Sequence, residues 1–150
     1  SPFFFPHLIS YYGQENAYEK ALETCNRALQ VDSTNRIFRF AKGSLLLTMG
    51  CYQESLDINK ALIADNDTLP DVYLNAGLAL FNQAIELDKN VQVSQKARNR
   101  ILDFYRKALP YLEKYRALAP QQKEKWALPL YTIYLNLNMG KQFDEIDKLL

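Results

Sequence analysis

The chain has 150 residues, which is enough for one domain or for a few stacked repeats with a sizeable core. Hydrophobic residues make up 48% of it and aromatic residues 13%, and this composition excludes a disordered chain. Because 18 basic residues nearly balance 17 acidic ones, the charge favours neither a nucleic acid nor an anionic membrane as a partner.

Apolar residues recur at helical spacing along the whole chain, and no long stretch alternates with a period of two. The sequence therefore predicts a chain that is almost entirely helical. A first helix is predicted over residues 2–13, and a second from about residue 17 to the polar turn at 32–35. A third helix is predicted over residues 36–49, where Gly50 is typical of a helix C-terminus.

A fourth helix is predicted over residues 52–63, and Pro70 opens a fifth because proline is favoured at the first helical position. Two glycines, Gly43 and Gly77, lie 34 positions apart inside apolar runs of helical length. A glycine there costs roughly 1 kcal/mol relative to alanine, so it usually marks the close approach of another backbone. The spacing of the two glycines predicts a repeated helix pair.

Small and aromatic residues recur along the chain in step with these glycines. In the first helix of a unit they are Tyr73, Ala76, Gly77 and Leu80, and in a later unit Trp126, Leu130, Ile133 and Tyr134. In second helices they are Tyr18, Ala21, Cys25, Ala28 and Asp32, then Ala108, Leu112, Tyr115 and Pro120, and finally Phe143, Ile146, Leu149 and Leu150. This pattern resembles the tetratricopeptide repeat (TPR), a helix–turn–helix unit of 34 residues, although Ser33 replaces the usual proline.

The resemblance covers nearly the whole chain and implies an all-α fold. We expect a single domain over residues 1–150, built as a right-handed superhelical array of antiparallel helix pairs, a TPR-like α-solenoid. Its four repeats are expected at residues 2–35, 36–69, 70–122 and 123–150.

The third repeat departs from the family pattern. Gly77 and Ala108 are 31 positions apart, whereas the family spacing is 12, so about 19 residues are inserted between the two helices. The insertion, at 84–100, keeps apolar residues at helical spacing and predicts two elongated helices that turn near residues 88–90. A helix over residues 94–118 would be about 37 Å long and kinked at Pro110, in a hairpin that projects beyond the array.

In this family the first helices of the repeats line a concave surface, which commonly holds an extended peptide or a partner helix. The resemblance therefore implies a protein-binding module or scaffold, with no catalytic residue, cofactor or metal. The inward-facing positions are His7, Ser10, Phe40, Ser44, Leu74, Asn75, Leu78, Asn82, Tyr131 and Tyr134, and the last eight are the predicted partner-binding residues. Some TPR domains clamp a peptide's terminal carboxylate with basic residues, but here only Asn75 has a suitable type and register. The expected ligand is therefore an apolar or neutral segment of another protein, held by aromatic side chains.

A structural role is the alternative hypothesis. In that case the chain is the C-terminal segment of a longer repeat array, which positions or assembles other domains and has no ligand of its own. The aromatic cluster at Phe3–Phe5 would be exposed unless it is covered, so it predicts contact with an upstream repeat or self-association with a second copy. No apolar run approaches the roughly 18 residues of a membrane span.

Several residues have both a functional and a structural interpretation. His7, the only histidine, lacks partners for metal binding or catalysis, so a role in the groove or at the end of the array is expected. Cys25 and Trp126 occupy positions that the repeat packs, and both are expected in the core. The required glycine and closing glutamate of a calcium loop are missing, so helix capping is expected at Asp65, Asp67 and Asp71. Because no phosphate loop or catalytic motif occurs, an enzyme is not expected.

Overall fold

The computed structural model of the chain describes residues 4–66, 68–89, 92 and 94–150. These residues contain no strand, and the chain is 81% helical. Within the described ranges the helices are α1 (Phe4–Gln14), α2 (Tyr18–Val31), α3 (Arg36–Thr48), α4 (Tyr52–Ala64), α5 (Pro70–Asp88), α6 (Gln95–Leu118), α7 (Lys123–Asn136) and α8 (Gly140–Asp147). The prediction of an all-helical chain is confirmed, and Pro70 opens α5 as expected. Phe3 of the aromatic cluster and Asp67 of the acidic turn lie outside the described residues.

The helices form two compact units. Unit 1 extends to residue 67 and holds α1 to α4, and unit 2 begins at residue 68 and holds α5 to α8. Within each unit consecutive helices pack against each other, which is compatible with a helical array. Cys25 is fully buried in unit 1 and Trp126 is buried in unit 2, so the expectation that both are core residues is confirmed.

Three of the helix pairs are closed by the same three-residue turn. Its middle residue is Asn16, Gly50 or Asn138, with φ of 56°, 81° and 56°, in the left-handed region that glycine and asparagine tolerate best. In each turn the N–H of the third residue donates to the carbonyl five positions back, at 2.7, 2.8 and 2.9 Å. Asn16 and Gly50 are 34 positions apart, so the turn recurs with the period of the glycines. Gly50 ends its helix as predicted.

Both repeated glycines lie where the two helices of a pair come into close contact. A Cβ atom on Gly43 would lie 2.9 Å from Nδ2 of Asn59 in α4, and one on Gly77 would lie 2.7 Å from Cγ of Leu112 in α6. The backbone nitrogen of Leu112 is also only 3.4 Å from that position. The predicted close approach of another backbone is therefore confirmed at Gly77, whereas the atoms nearest to Gly43 belong to side chains of α4.

The length of the insertion can be measured from the same two contacts. Asn59 follows Gly43 by 16 positions, whereas Leu112 follows Gly77 by 35, so the α5–α6 pair reaches an equivalent contact with 19 additional residues between its partners. This agrees with the length predicted from sequence. The 19 residues divide between the end of α5, the connection and the start of α6.

The added residues lengthen both helices of the pair. α5 has 19 residues and α6 has 24, against 13 in each of α3 and α4. At 1.5 Å per residue α6 is about 36 Å long. Its start is fixed by Ser94, whose side chain accepts a hydrogen bond from the N–H of Ala97 at 3.1 Å. Arg98 donates to Asn136 of α7 at 3.4 Å, so α7 is in contact with the inserted part of α6.

Candidate partner-binding site

Two of the predicted binding residues lie on α3 in unit 1. Phe40 and Ser44 are one helical turn apart and both are half-buried, so each exposes part of its side chain. His7 and Ser10, the other inward-facing positions of this unit, are exposed on α1. Unit 1 therefore offers a partner one half-buried aromatic ring and a few small polar groups at these positions.

Four predicted residues lie on α5 in unit 2, and they divide by depth. Leu74 and Asn75 are each only 8% exposed and belong mainly to the packed interior. Leu78 and Asn82 lie one and two turns further along the helix and are half-buried. Because residues four apart share a helix face, Leu74, Leu78 and Asn82 form one stripe that becomes more accessible toward its C-terminal end.

The last two predicted residues lie on α7. The ring of Tyr131 is half-buried and packs on Phe143 of α8, with 4.8 Å between the ring centroids. Tyr134 is only 3% exposed, and its hydroxyl donates to Oε1 of Glu113 in α6 at 2.9 Å. Tyr131 can therefore present a ring edge to a partner, whereas Tyr134 chiefly joins α7 to α6.

Helices α5 and α7 contact each other directly, so the predicted residues of unit 2 lie on neighbouring helices. In a repeat array they are the first helices of successive units, which are the helices expected to line an inner surface. Leu78, Asn82 and Tyr131 are the accessible predicted residues on this helix pair. We call these three side chains the α5–α7 surface. Phe40 and Ser44 belong to the other compact unit.

A polar cluster between α6 and α7 did not follow from the repeat pattern. The guanidinium of Arg116 lies over the ring of Trp126, 4.5 Å from its centroid, while Glu113 accepts the hydroxyl of Tyr134. Burial, followed by the hydrogen bond to Glu113 and its negative charge, raises the pKa of Tyr134 well above its ordinary value. The only sequence signal is the spacing of Glu113 and Arg116, which puts both on one face of α6. The cluster therefore joins α7, which carries Tyr131 of the α5–α7 surface, to α6.

Other raised pKa values also belong to packed side chains. Burial is the main cause for Cys25, whose pKa is raised to about 11 although Lys42 opposes the shift. Burial likewise raises the pKa of Tyr105 in the middle of α6 and of Tyr115 near its end. Tyr105 packs on Phe81 of α5 with 5.8 Å between ring centroids. These shifts therefore report helix packing.

Residues of the described ranges line the following three cavities. One of about 490 Å³ lies beside the α1–α2 turn and Met49. A second of about 280 Å³ lies between Leu29, Arg39 and Ile58, and a third of about 460 Å³ lies between the start of α7 and Leu150. None of the predicted binding residues lines any of the three.

Two of the three acidic residues considered for a calcium loop, Asp65 and Asp71, lie within the described residues. Asp65 pairs with Arg39 at 2.8 Å and ends α4, and Asp71 lies in the first turn of α5. Among the described residues, no group of three histidine, cysteine or acidic side chains converges on one point. Within those same ranges, no helix has both the length and the apolar character needed to cross a membrane.

Comparison with known proteins leaves the chain without an assigned family. No protein-family model matches the sequence, and no curated protein matches it.

Proposed function

We propose that the chain is a TPR-like protein-interaction module that binds a peptide or a helix of a partner on the α5–α7 surface. The observation that carries the proposal is the direct contact between α5 and α7, on which Leu78, Asn82 and Tyr131 remain accessible. First helices of successive TPR units have this relation, and in the family they form the ligand-binding side. A right-handed array with a concave inner surface is part of the same proposal.

The internal repetition of the chain supports the repeat assignment. The turn with a left-handed middle residue occurs in three helix pairs, and the glycine contact occurs in the α3–α4 and α5–α6 pairs. Asn16 and Gly50 are 34 positions apart, as are Gly43 and Gly77, which is the length of one TPR unit. Two independent features therefore repeat with the same period.

The chemistry of the surface favours a neutral, partly apolar ligand. Leu78 can contact an apolar side chain, and the ring of Tyr131 provides rigid contact area at low entropic cost. The amide of Asn82 can donate to and accept from the backbone of an extended segment, whose peptide groups need partners once they leave water. Phe40 and Ser44 on α3 belong to the other compact unit and remain predicted contacts there. The remaining predicted residues of these two helices, Leu74, Asn75 and Tyr134, are buried and belong to the packed interior.

The proposal is tested by selecting peptides from a random library on the immobilised intact chain and measuring the best binder by calorimetry. We expect Leu78→Glu and Asn82→Ala to weaken its binding by about tenfold or more, because each removes a central contact. Asn99→Ala, at an exposed position of α6, is the matched control and should leave binding unchanged. Binding that is equally strong in all variants would place the ligand elsewhere.

A structural role is the second candidate. It is supported by Leu128 and Leu135 of α7, which are 64% and 53% exposed and could pack against a further helical element. In that case the library yields no specific peptide, and Leu128→Glu, not Leu78→Glu, disrupts assembly with the neighbouring element.

A further inference from the structure

Helix α1 differs from the other helices of the described chain in charge and in burial. Its sequence from Phe4 to Gln14 contains no lysine, arginine, aspartate or glutamate, and none of its residues is fully buried. Phe5 is its main anchor and packs edge-on against Phe38 of α3, with 6.2 Å between ring centroids. An uncharged helix that buries no residue completely is only partly covered by its own unit.

The uncovered side of α1 is aromatic. Phe4 and Tyr11 are 65% and 57% exposed, and they lie two helical turns apart on one side of the helix. His7 is exposed between them. We call Phe4, His7 and Tyr11 the outer face of α1.

Two more exposed apolar side chains lie at the same end of unit 1 as Phe4. Val31 ends α2 and is 66% exposed, and Ile37 follows the first residue of α3 and is 72% exposed. The antiparallel course of α1 and α2, together with the contact between Phe5 and Phe38, brings these helix ends together. Further exposed apolar side chains therefore lie at the Phe4 end of unit 1.

We propose that the outer face of α1 is a contact between two copies of this chain, related by a two-fold axis that passes near His7. A surface without formal charge does not select a charged partner, but it is complementary to itself. In a two-fold contact each residue meets its symmetry counterpart in exchange, so Phe4 of one copy lies against Tyr11 of the other. His7, midway between them, lies closest to the axis.

The exposed area sets the strength of this contact. With roughly 150–250 Å² per large side chain, the four apolar residues, each about two-thirds exposed, present roughly 400–650 Å² per copy. A pair buries on the order of 1,000 Å², which is the lower end of the range for a specific interface. We therefore expect a weak, reversible dimer that forms between micromolar and millimolar concentration.

Sedimentation velocity of the intact chain over this concentration range tests the proposal. The wild-type chain should shift from monomer to dimer, and Tyr11→Glu should lower the association constant by at least about tenfold, because it buries an unpaired charge. Leu118→Glu introduces the same charge at a leucine of unit 2 that is 42% exposed, and it should associate like the wild type. Circular dichroism checks that both variants keep their helical content.

A monomer at every concentration overturns the proposal, and so does a dimer that survives Tyr11→Glu or is lost equally in Leu118→Glu. Symmetry is tested separately in a Cys51→Ser background, where His7→Cys should form an intermolecular disulfide readily and Gln14→Cys should not. Equal cross-linking of both positions overturns the two-fold arrangement. Peptide binding on the α5–α7 surface involves other residues, so either proposal can fail while the other stands.

Discussion

Replacing Gly77 by alanine tests directly whether close helix packing organises the α5–α6 pair. The new Cβ atom would lie 2.7 Å from Cγ and 2.8 Å from Cδ2 of Leu112, well inside the 3.5–4.0 Å at which carbon atoms attract. Leu112 is fully buried and its backbone nitrogen is 3.4 Å from the same point, so the side chain cannot simply swing away.

The expected magnitude combines two opposing effects. Overpacking a buried contact costs about 1–3 kcal/mol, and a contact below 3 Å on two atoms belongs near the upper end. Alanine recovers roughly 1 kcal/mol of helix propensity. We therefore expect Gly77→Ala to lower the free energy of unfolding by about 1–2 kcal/mol, and Tm by about 3–8 °C for a chain of this size.

Gly13→Ala is the matched control for this prediction. Gly13 lies in α1, and a Cβ atom there would have no neighbour within 4 Å, so only the gain in helix propensity remains. Urea unfolding followed by circular dichroism should show opposite signs, with Gly13→Ala stabilised by up to about 1 kcal/mol. If Gly77→Ala is as stable as the wild type, or if its cost simply adds to that of Leu112→Ala in the double variant, the contact does not constrain the pair.

Three further predictions concern buried groups. Asn59 occupies in α4 the place that Leu112 occupies in α6, and among the described residues its buried Oδ1 has no hydrogen-bond partner. Asn59→Leu should therefore raise the free energy of unfolding by about 1 kcal/mol, which is measured as a higher urea midpoint. Folding raises the pKa of Tyr134 above its ordinary value of 10.0, so the stability that its protonated hydroxyl contributes is fully present below pH 10 and is lost as the pH rises further. The free energy of unfolding of Tyr134→Phe should therefore depend less steeply on pH in alkaline solution. An unchanged slope would contradict this. Cys25 is fully buried with a pKa raised to about 11, so a thiol reagent at neutral pH should modify one cysteine, Cys51, in the folded chain and both only after urea is added.

Much of the fold could be predicted because the determining features are local. Helix periodicity, the proline that opens α5 and the glycine that ends α3 act within a few residues, and they set helix boundaries to within one or two positions. Gly43 and Gly77 carry longer-range information, because a glycine in an apolar helix needs a reason that only a neighbouring helix provides. The inserted length followed from the spacing between Gly77 and Ala108.

The depth of the candidate binding residues could not be predicted in this way. Periodicity places a residue on a face, but the distance to the next helix decides whether it is buried. Asn75 and Leu78 illustrate this, because both were assigned to the inward face and only Leu78 keeps substantial exposure. The link between Glu113 and Tyr134 joins polar groups 21 positions apart, and no local pattern specifies such a pair. Division into two compact units likewise depends on contacts that a single repeat does not encode.

The elongated pair shows why 19 residues can be added without loss of the core. The fully buried residues of α6 are Ile101, Tyr105, Ala108, Leu112 and Tyr115, at alternating spacings of four and three. This spacing keeps one stripe of the helix toward its neighbours, and in the inserted part of α6 the half-buried Ala97, one turn before Ile101, lies on the same stripe. Pro110 is exposed, which puts the residue least suited to a helix interior on the opposite side. The contact between Gly77 and Leu112 fixes how the two helices meet, and the stripe fixes which side they present. The lengths of α5 and α6 can then vary. A change in length alters how far the two helices extend beyond that contact, while the packing at the contact stays the same.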